Sequence, residues 1–502
     1  MDVSAAARNL ATWADDRLNP LLVKDLRQAC RGRFFQGAVL IFLFLQLLVL
    51  FAAMDGEIRR SSMQAGWEVF HAMLQILVVT TMGIMPLVIA WRLNQDFAPG
   101  EQDLFLITGL TPRQIIHGKV VSPMVMTAMF YALHSPLATL AVFLRGIDFP
   151  TIFVILGGGF LFTGLIYLLV VLAAVGPSRQ NSAAGMLLVG GWFLYMGNMA
   201  FQGFIQSVRR RGFTGWGEML AQYWEPLLII ILLGGVAYEM AIAQVSPPAA
   251  NRSGGARRFL TWFFGLTFIL TAVLTSVGGS PQPFEFWAGL LTVVAVFALP
   301  MSAADRLEPG RRVLAETPAG PLGRLRGFLF SSGAAGGMAW ASLLTLFLIV
   351  GFKGGGLALG RSVAGIGNAE SEVGAFTTIL YTFNLAMTGL LLRRWSIAMG
   401  LADEYGAHFP LGLFLLTGIF PFLGAAVLGL STRETPAFLY FSPFLAWERR
   451  HQFAVLGTQA GWALLSGLAN LPWLSEQWAK FIPLPPPAPF RVARGKGGTA
   501  DG

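Results

Sequence analysis

Runs of about 18 or more apolar residues recur along the whole chain, separated by short polar stretches rich in Gly, Pro, Lys and Arg. As a helix, each run is long enough to cross a hydrocarbon core of about 30 Å. The pattern predicts twelve membrane-spanning helices, at roughly 35–54, 68–91, 120–144, 151–175, 183–206, 227–245, 259–278, 285–302, 328–352, 372–392, 409–430 and 453–474. The expected fold class is therefore all-α and polytopic, with two six-helix halves. Residues 1–34 precede the first span, and 35–245 form the first six-helix module. A Pro/Gly/Ser-rich linker, SPPAANRSGGARR, covers 246–258, and 259–475 form the second module. The tail at 476–502 carries PLPPPAPF from Pro483, expected to be stiff and extended, and then a basic, disordered end.

The polar segments between the spans carry the most local detail. Asn19-Pro20 reads as a helix start, with a cap and a first-turn proline. Leu22, Val23, Leu26, Ala29, Cys30 and Phe34 recur at helical spacing, whereas Lys24, Arg27, Gln28 and Arg31 point elsewhere. Such a helix lies in the membrane interface rather than across it. The loop after the second span is built in two pieces. Pro99 and Gly100 end the preceding helix, and Glu101 and Asp103 put negative charge at the start of a short apolar turn, Leu104-Phe105-Leu106-Ile107, where a helix N-terminus favours it. Gly109 stops that turn. Thr111-Pro112-Arg113-Gln114 then starts the third span: Thr as cap, Pro in the first turn, Gln three residues after the cap.

Two of these stretches resemble ABC-2-type transporter permeases. Asp103, Leu104, Leu110, Thr111, Pro112, Ile116, Gly118 and Lys119 fit the family's pattern between spans two and three, although Gly100-Glu101-Gln102 stands where Glu-x-Gly-Thr is usual. Asn19, Pro20, Lys24, Asp25, Arg27 and Gln28 fit the NPxxxKELRQ pattern of the family's elbow helix. The resemblance covers about residues 15–175. It implies a permease subunit of an exporter, with no catalytic residue of its own. A separate P-loop ATPase would hold ATP and Mg²⁺ and grip the segment from Glu101 to Leu110, with Arg113 just beyond it. Pairing with a second copy or a second permease stays open. A twelve-helix secondary transporter and a non-transporting membrane scaffold are the alternatives.

Composition narrows the classes further. Of 502 residues, 55% are hydrophobic and 12% charged, which excludes an ordinary soluble domain of this length. The net charge of +9 reads as Lys and Arg anchoring cytoplasmic loops, not as a nucleic-acid site. With the N-terminus inside, Lys and Arg on inner segments outnumber those on outer loops by more than two to one. The positive-inside rule thus predicts that both termini are cytoplasmic, and the resemblance to ABC-2 permeases implies a bacterial inner membrane. The loop from Arg209 to Pro226, expected as a helical outer segment, runs against the bias. A single cysteine, Cys30, excludes an internal disulfide and a Cys-based metal site. No cleavable signal peptide is expected, because more than thirty polar residues precede the first apolar run.

No P-loop motif and no metal-binding motif occurs in the sequence. The remaining chemistry is polar groups inside spans, each costly unless it faces a cavity or a partner. His134 beside Ser135-Pro136, Glu239 near the inner end of the sixth span, and Asn384 inside the tenth are the pathway candidates. Gly157-Gly158-Gly159 in the fourth span reads as close helix packing. The loop from Asp305 to Gly327, at the place equivalent to 92–119, is Arg-rich and expected to be too interrupted by Pro and Gly to form the same short helix as that loop.

Overall fold

The structure is a computed structural model that describes residues 19–54, 65–96, 110–144, 146–176, 183–358, 369–401, 403, 409–420, 437–444 and 450–482. Every regular element among the described residues is helical. Nine of the described helices are long and apolar enough to cross a membrane, so the chain is a helical, multi-pass membrane protein. The chain divides into two compact units, with the boundary between Ser246 and Pro247.

In the first unit α1 (Pro20–Arg31) is the amphipathic helix before the first span, and α2 (Arg33–Met54) follows after a break at Gly32. The second span is α3 (Ala65–Val78), a π-helical segment (Val79–Ile84) and α4 (Met85–Asp96). Then come α5 (Pro112–Leu140), α6 (Phe149–Val175), α7 (Ala183–Arg211) and α8 (Trp216–Val245). The hub is α6, which packs against α4, α5, α7 and α8. It has almost no polar side chain to hide, and its glycines let neighbours in. A Cβ on Gly158 would sit 2.4 Å from the Phe204 ring, and one on Gly159 would be 2.8 Å from both Phe201 and the Tyr131 hydroxyl. The glycine run is thus a seat for the phenylalanines of α7.

The π segment is not apparent in the apolar pattern, and its cause is local. Thr80 and Thr81 donate their hydroxyls to the carbonyls of Ile76 and Leu77, each at 2.8 Å. Pro86 follows without an N–H to offer. The Thr81 carbonyl accepts the Tyr167 hydroxyl of α6 at 3.1 Å instead. The stretch expected as an outer segment between Arg209 and Pro226 is shorter than predicted. α7 runs to Arg211, α8 starts at Trp216, and Pro226 lies inside α8, so Gly212–Gly215 is the whole connection.

The second unit contains α9 (Gly254–Gly278), α10 (Gln282–Ala303), α11 (Arg311–Glu316), α12 (Pro321–Phe330) and α13 (Ala334–Ala358). α14 (Ala369–Ala398), α15 (Phe409–Phe414) with a π segment (Leu415–Ile419), and α16 (Gln452–Lys480) complete it. α10 packs on α9, α13 and α14, and α14 packs on α16. The linker is shorter than expected, since Gly254 to Arg258 are already helical. The 305–327 loop, expected to be too interrupted to form the same short helix as the loop after the second span, carries two short helices of its own. Gly310 precedes α11, and Gly320-Pro321 starts α12, so the breakers punctuate two helices instead of interrupting one. The span expected from 328 begins at Ala334, after a break at Ser331–Gly333.

Candidate functional site

The site grows from the start of α5. Thr111 is in extended conformation and its hydroxyl accepts the Gln114 N–H at 3.3 Å, while the Gln114 side-chain oxygen accepts the Thr111 N–H at 2.9 Å. This reciprocal pair satisfies two donors that a helix start leaves over. Pro112 takes the first helical position, where its missing N–H costs nothing. Glu101, Asp103, Leu104 and Phe105 lie outside the described residues. Leu110 is partly buried against a cluster containing Leu21, Leu93, Ile115, Ile116 and Ile242.

α1 is pinned onto this start. Asn19 caps α1 by accepting the Leu21 N–H at 3.1 Å, and its amide nitrogen donates to the Gln114 carbonyl of α5. Gly118 is the point of closest approach. A Cβ there would lie 3.1 Å from the Leu21 Cβ and 3.1 Å from the Asn19 amide nitrogen, tighter than a side chain tolerates without movement.

Next to Gly118 and about two turns into α5, Lys119 reaches two carboxylates: Asp25 of α1 at 2.9 Å and Asp96, the last residue of α4, at 2.7 Å. The Lys119 side chain is 8% exposed, whereas Asp96 is 40% exposed. Burying an ammonium costs several kcal/mol unless paired and hydrogen-bonded, and here two of its three donors are satisfied by opposite charge. One side chain thus joins three helices that the sequence separates by the 97–109 loop and the first span.

Around this centre lies a cavity of about 210 Å³ between α1, α4 and α5. Lys24, Gln28, Arg92 and Gln95 contribute to its polar side, and Phe35, Met85, Ile89 and Met126 to its apolar side. Lys24 and Gln28 are exposed on α1 beside Arg27.

The other predicted residues go elsewhere. Glu239 receives Arg113 at 2.9 Å, which ties the end of α8 to the start of α5. His134 is fully buried and neither ring nitrogen has a hydrogen-bond partner among the described residues; its ring centre lies 6.3 Å from that of Phe70. Pro136 leaves the Ala132 carbonyl without its helical donor, and the Ser135 hydroxyl supplies one at 3.3 Å. Asn384 belongs to the second unit. It donates to the carbonyl and side-chain oxygen of Gln459 on α16, both at 2.9 Å, in a seam continued by Trp462 with Thr388 and by Asn470 with the Met387 carbonyl. No group of three or more metal-ligating side chains occurs among the described residues.

Sequence reasoning passed over Asp96 and Arg92. The available signal was a charge pair across one loop: an acid at the end of the second span and a lysine near the start of the third. No protein-family model, curated protein or solved structure matches the chain.

Proposed function

We propose that the chain is the membrane-spanning permease subunit of an ABC-type exporter, with twelve spans in two halves. In this reading both termini are cytoplasmic, and a separate P-loop ATPase docks on the 101–110 segment. The observation that carries the reading is the Lys119 junction. Residues 97–109 connect α4, which ends at Asp96, to the start of α5, and Lys119 fastens both of these helices to α1. Movement imposed on the loop by a docked partner would therefore reach α1, α4 and α5 together, because rigid helices carry displacement further than flexible chain does. The capped start of α5 and the close seat at Gly118 support the same mechanical role. α7 and α16 are long helices at the fifth and twelfth predicted positions, outside the nine that are long and apolar enough to cross a membrane.

The test is purification of the tagged full chain in mild detergent, followed by crosslinking from Phe105→Cys in a Cys30→Ser background. A P-loop ATPase crosslinked at that position is the expected result. A preparation free of ATPase would overturn the exporter reading in favour of a secondary transporter or a scaffold. In the assembled complex, Leu104→Asp with Phe105→Asp should abolish stimulation of ATP hydrolysis by transport substrate while the chain still folds; unchanged stimulation would remove the coupling role from this loop.

A further inference from the structure

The cavity beside Lys119 has a composition that the junction alone does not require. Its lining holds Lys24, Arg92 and Lys119 against Asp25 and Asp96. Both carboxylates are already engaged by Lys119. Lys24 and Arg92 have no ion-pair or hydrogen-bond partner among the described residues, although both line the cavity. Two cations without a partner among the described residues therefore line a space that apolar side chains line as well.

That space lies near the ends of membrane helices. Arg92 stands one turn before the end of α4, and Lys24 is on the interfacial helix α1. Phe34, which lines the cavity and is exposed, opens a stripe of exposed apolar side chains down α2: Ile41, Leu45 and Leu48, at helical spacing. On the other flank Ile84, Leu87 and Trp91 of the second span are exposed. A polar pocket at headgroup depth thus opens onto hydrocarbon-facing surface.

We propose that this cavity binds the phosphate headgroup of an anionic membrane phospholipid, with Lys24 and Arg92 on the phosphodiester and an acyl chain along the Phe34–Ile41–Leu45 stripe. The volume of about 210 Å³ equals roughly seven waters' share of liquid, room for a phosphodiester and part of its glycerol. Charge selects an anionic over a zwitterionic lipid, because the acids that would receive a headgroup amine are occupied by Lys119. The exposed stripe selects a lipid over free phosphate. The proposal does not depend on the exporter reading, since any polytopic protein can hold a lipid at such a place.

The test uses the full chain in dodecyl maltoside, titrated with phosphatidylglycerol or phosphatidylcholine and read by native mass spectrometry. Wild type is expected to retain phosphatidylglycerol in preference to phosphatidylcholine. Lys24→Gln with Arg92→Gln should weaken phosphatidylglycerol retention by about thirtyfold, the product of two interfacial cations. Arg31→Gln with Arg33→Gln, which removes two exposed cations outside the cavity, should leave retention unchanged. Lys24 and Arg92 are exposed, so the variant is expected to unfold at the wild-type temperature; that midpoint is measured alongside. Equal loss in both double variants would reduce the effect to general surface charge and overturn the site. Retention unchanged in the cavity variant would overturn it outright. Full competition by millimolar glycerol phosphate would make this a free-anion site and overturn the lipid assignment.

Discussion

Lys119 and Arg257 are both buried cations near the starts of long apolar helices, yet their surroundings differ in kind. Lys119 is held by two side-chain carboxylates from two other helices and borders a cavity. Arg257 is held mostly by backbone. One guanidinium nitrogen donates to the carbonyls of Ser331 at 2.5 Å and Leu329 at 3.3 Å, and the other to Asp305 at 2.9 Å and Gly333 at 3.4 Å. Leu329 lies in the last turn of α12, so Arg257 satisfies a carbonyl that a helix terminus leaves over and sets positive charge against the negative end of its dipole. Asp305 in turn accepts the Ser253 hydroxyl at 2.7 Å and the Gly333 N–H at 3.1 Å. Asn251 closes the ring by donating to the Phe330 carbonyl at 2.9 Å and accepting the Ser332 N–H at 2.9 Å. A backbone-bonded cluster has one arrangement. A cation between two partly solvated carboxylates can let go of either. The first is a clasp and the second a joint.

The widest separation between them should come from removing each cation. Arg257 is 5% exposed, and Arg257→Met leaves Asp305, 17% exposed and fixed in place by the Ser253 hydroxyl and the Gly333 N–H, without its counter-charge and several buried carbonyls without donors. The expected loss is about 3–5 kcal/mol, enough to unfold the second unit in mild detergent. Lys119→Met should cost less, about 1–2 kcal/mol, because Asp25 and Asp96 can turn to water. Thermal unfolding at one scan rate, with limited proteolysis to report which unit opens, measures both. Equal losses would erase the distinction between clasp and joint.

Within the first unit the comparison sharpens at Gly118. Gly118→Val must push α1 off α5 at Leu21 and Asn19. The expected cost is about 1–3 kcal/mol, as for other overpacked contacts. It should also open position 29 on the same helix, 1% exposed in wild type, so that Ala29→Cys in a Cys30→Ser background gains labelling by a water-soluble maleimide. Unchanged labelling would mean that α1 follows α5 as one body, and the joint would be stiffer than its chemistry suggests.

These residues differ in how far the sequence revealed them. Asn19, Pro20, Thr111, Pro112 and Gln114 were legible because helix starts use local chemistry, written within four residues of the cap. Gly118 and Lys119 were marked only by resemblance to a family pattern, and neither the close seat of α1 nor the two carboxylates could be read from it. Those contacts join residues 94 and 23 apart in sequence, Lys119 to Asp25 and to Asp96. The apolar pattern placed most spans within a few residues, since hydrophobic length is a direct signal. It did not show the π segment at Val79–Ile84, where two threonines and a proline act through backbone hydrogen bonds. It did not show the two short helices within 305–327, because breakers between two short helices look, in sequence, like breakers within one. Arg257 and Arg393 were passed over as anchoring charge for a similar reason: several of their partners are backbone carbonyls, and no side-chain pattern marks a carbonyl.

A smaller effect separates exposed from buried pairing. Arg113 is 60% exposed where it meets Glu239. Arg113→Ala should cost no more than about 0.5–1 kcal/mol and lose most of that difference in molar salt. The Lys119 contribution should survive the same salt, because its ammonium is buried. A salt-insensitive loss at Arg113 would mean that the α5–α8 tie is not electrostatic.

The smallest expected effect tests whether the clasp responds to pH. Arg393 donates two nitrogens to Asp403, at 2.7 and 2.9 Å, and a third to the carbonyls of Ala303 and Asp305, at 3.0 and 2.6 Å. The hydrogen bond from Arg393 holds the Asp403 carboxyl below the ordinary carboxylate range; burial opposes this, and the Arg393 charge adds to it. A carboxyl depressed in the folded state stabilises fully above its unfolded value, about pH 3.9, and loses that contribution as pH falls through its lower folded value. Asp403 is half exposed, so solvent screening keeps the contribution below about 1 kcal/mol. Asp403→Asn should lower the unfolding temperature slightly at neutral pH and match wild type once the wild-type carboxyl is protonated. The clasp should persist in both, because Arg393 keeps its two backbone carbonyls when Asp403 is neutral. A large acid-induced loss in wild type that Asp403→Asn abolishes would instead make Asp403 the main anchor of Arg393, and this end of the second unit would then be a joint of the same kind as Lys119.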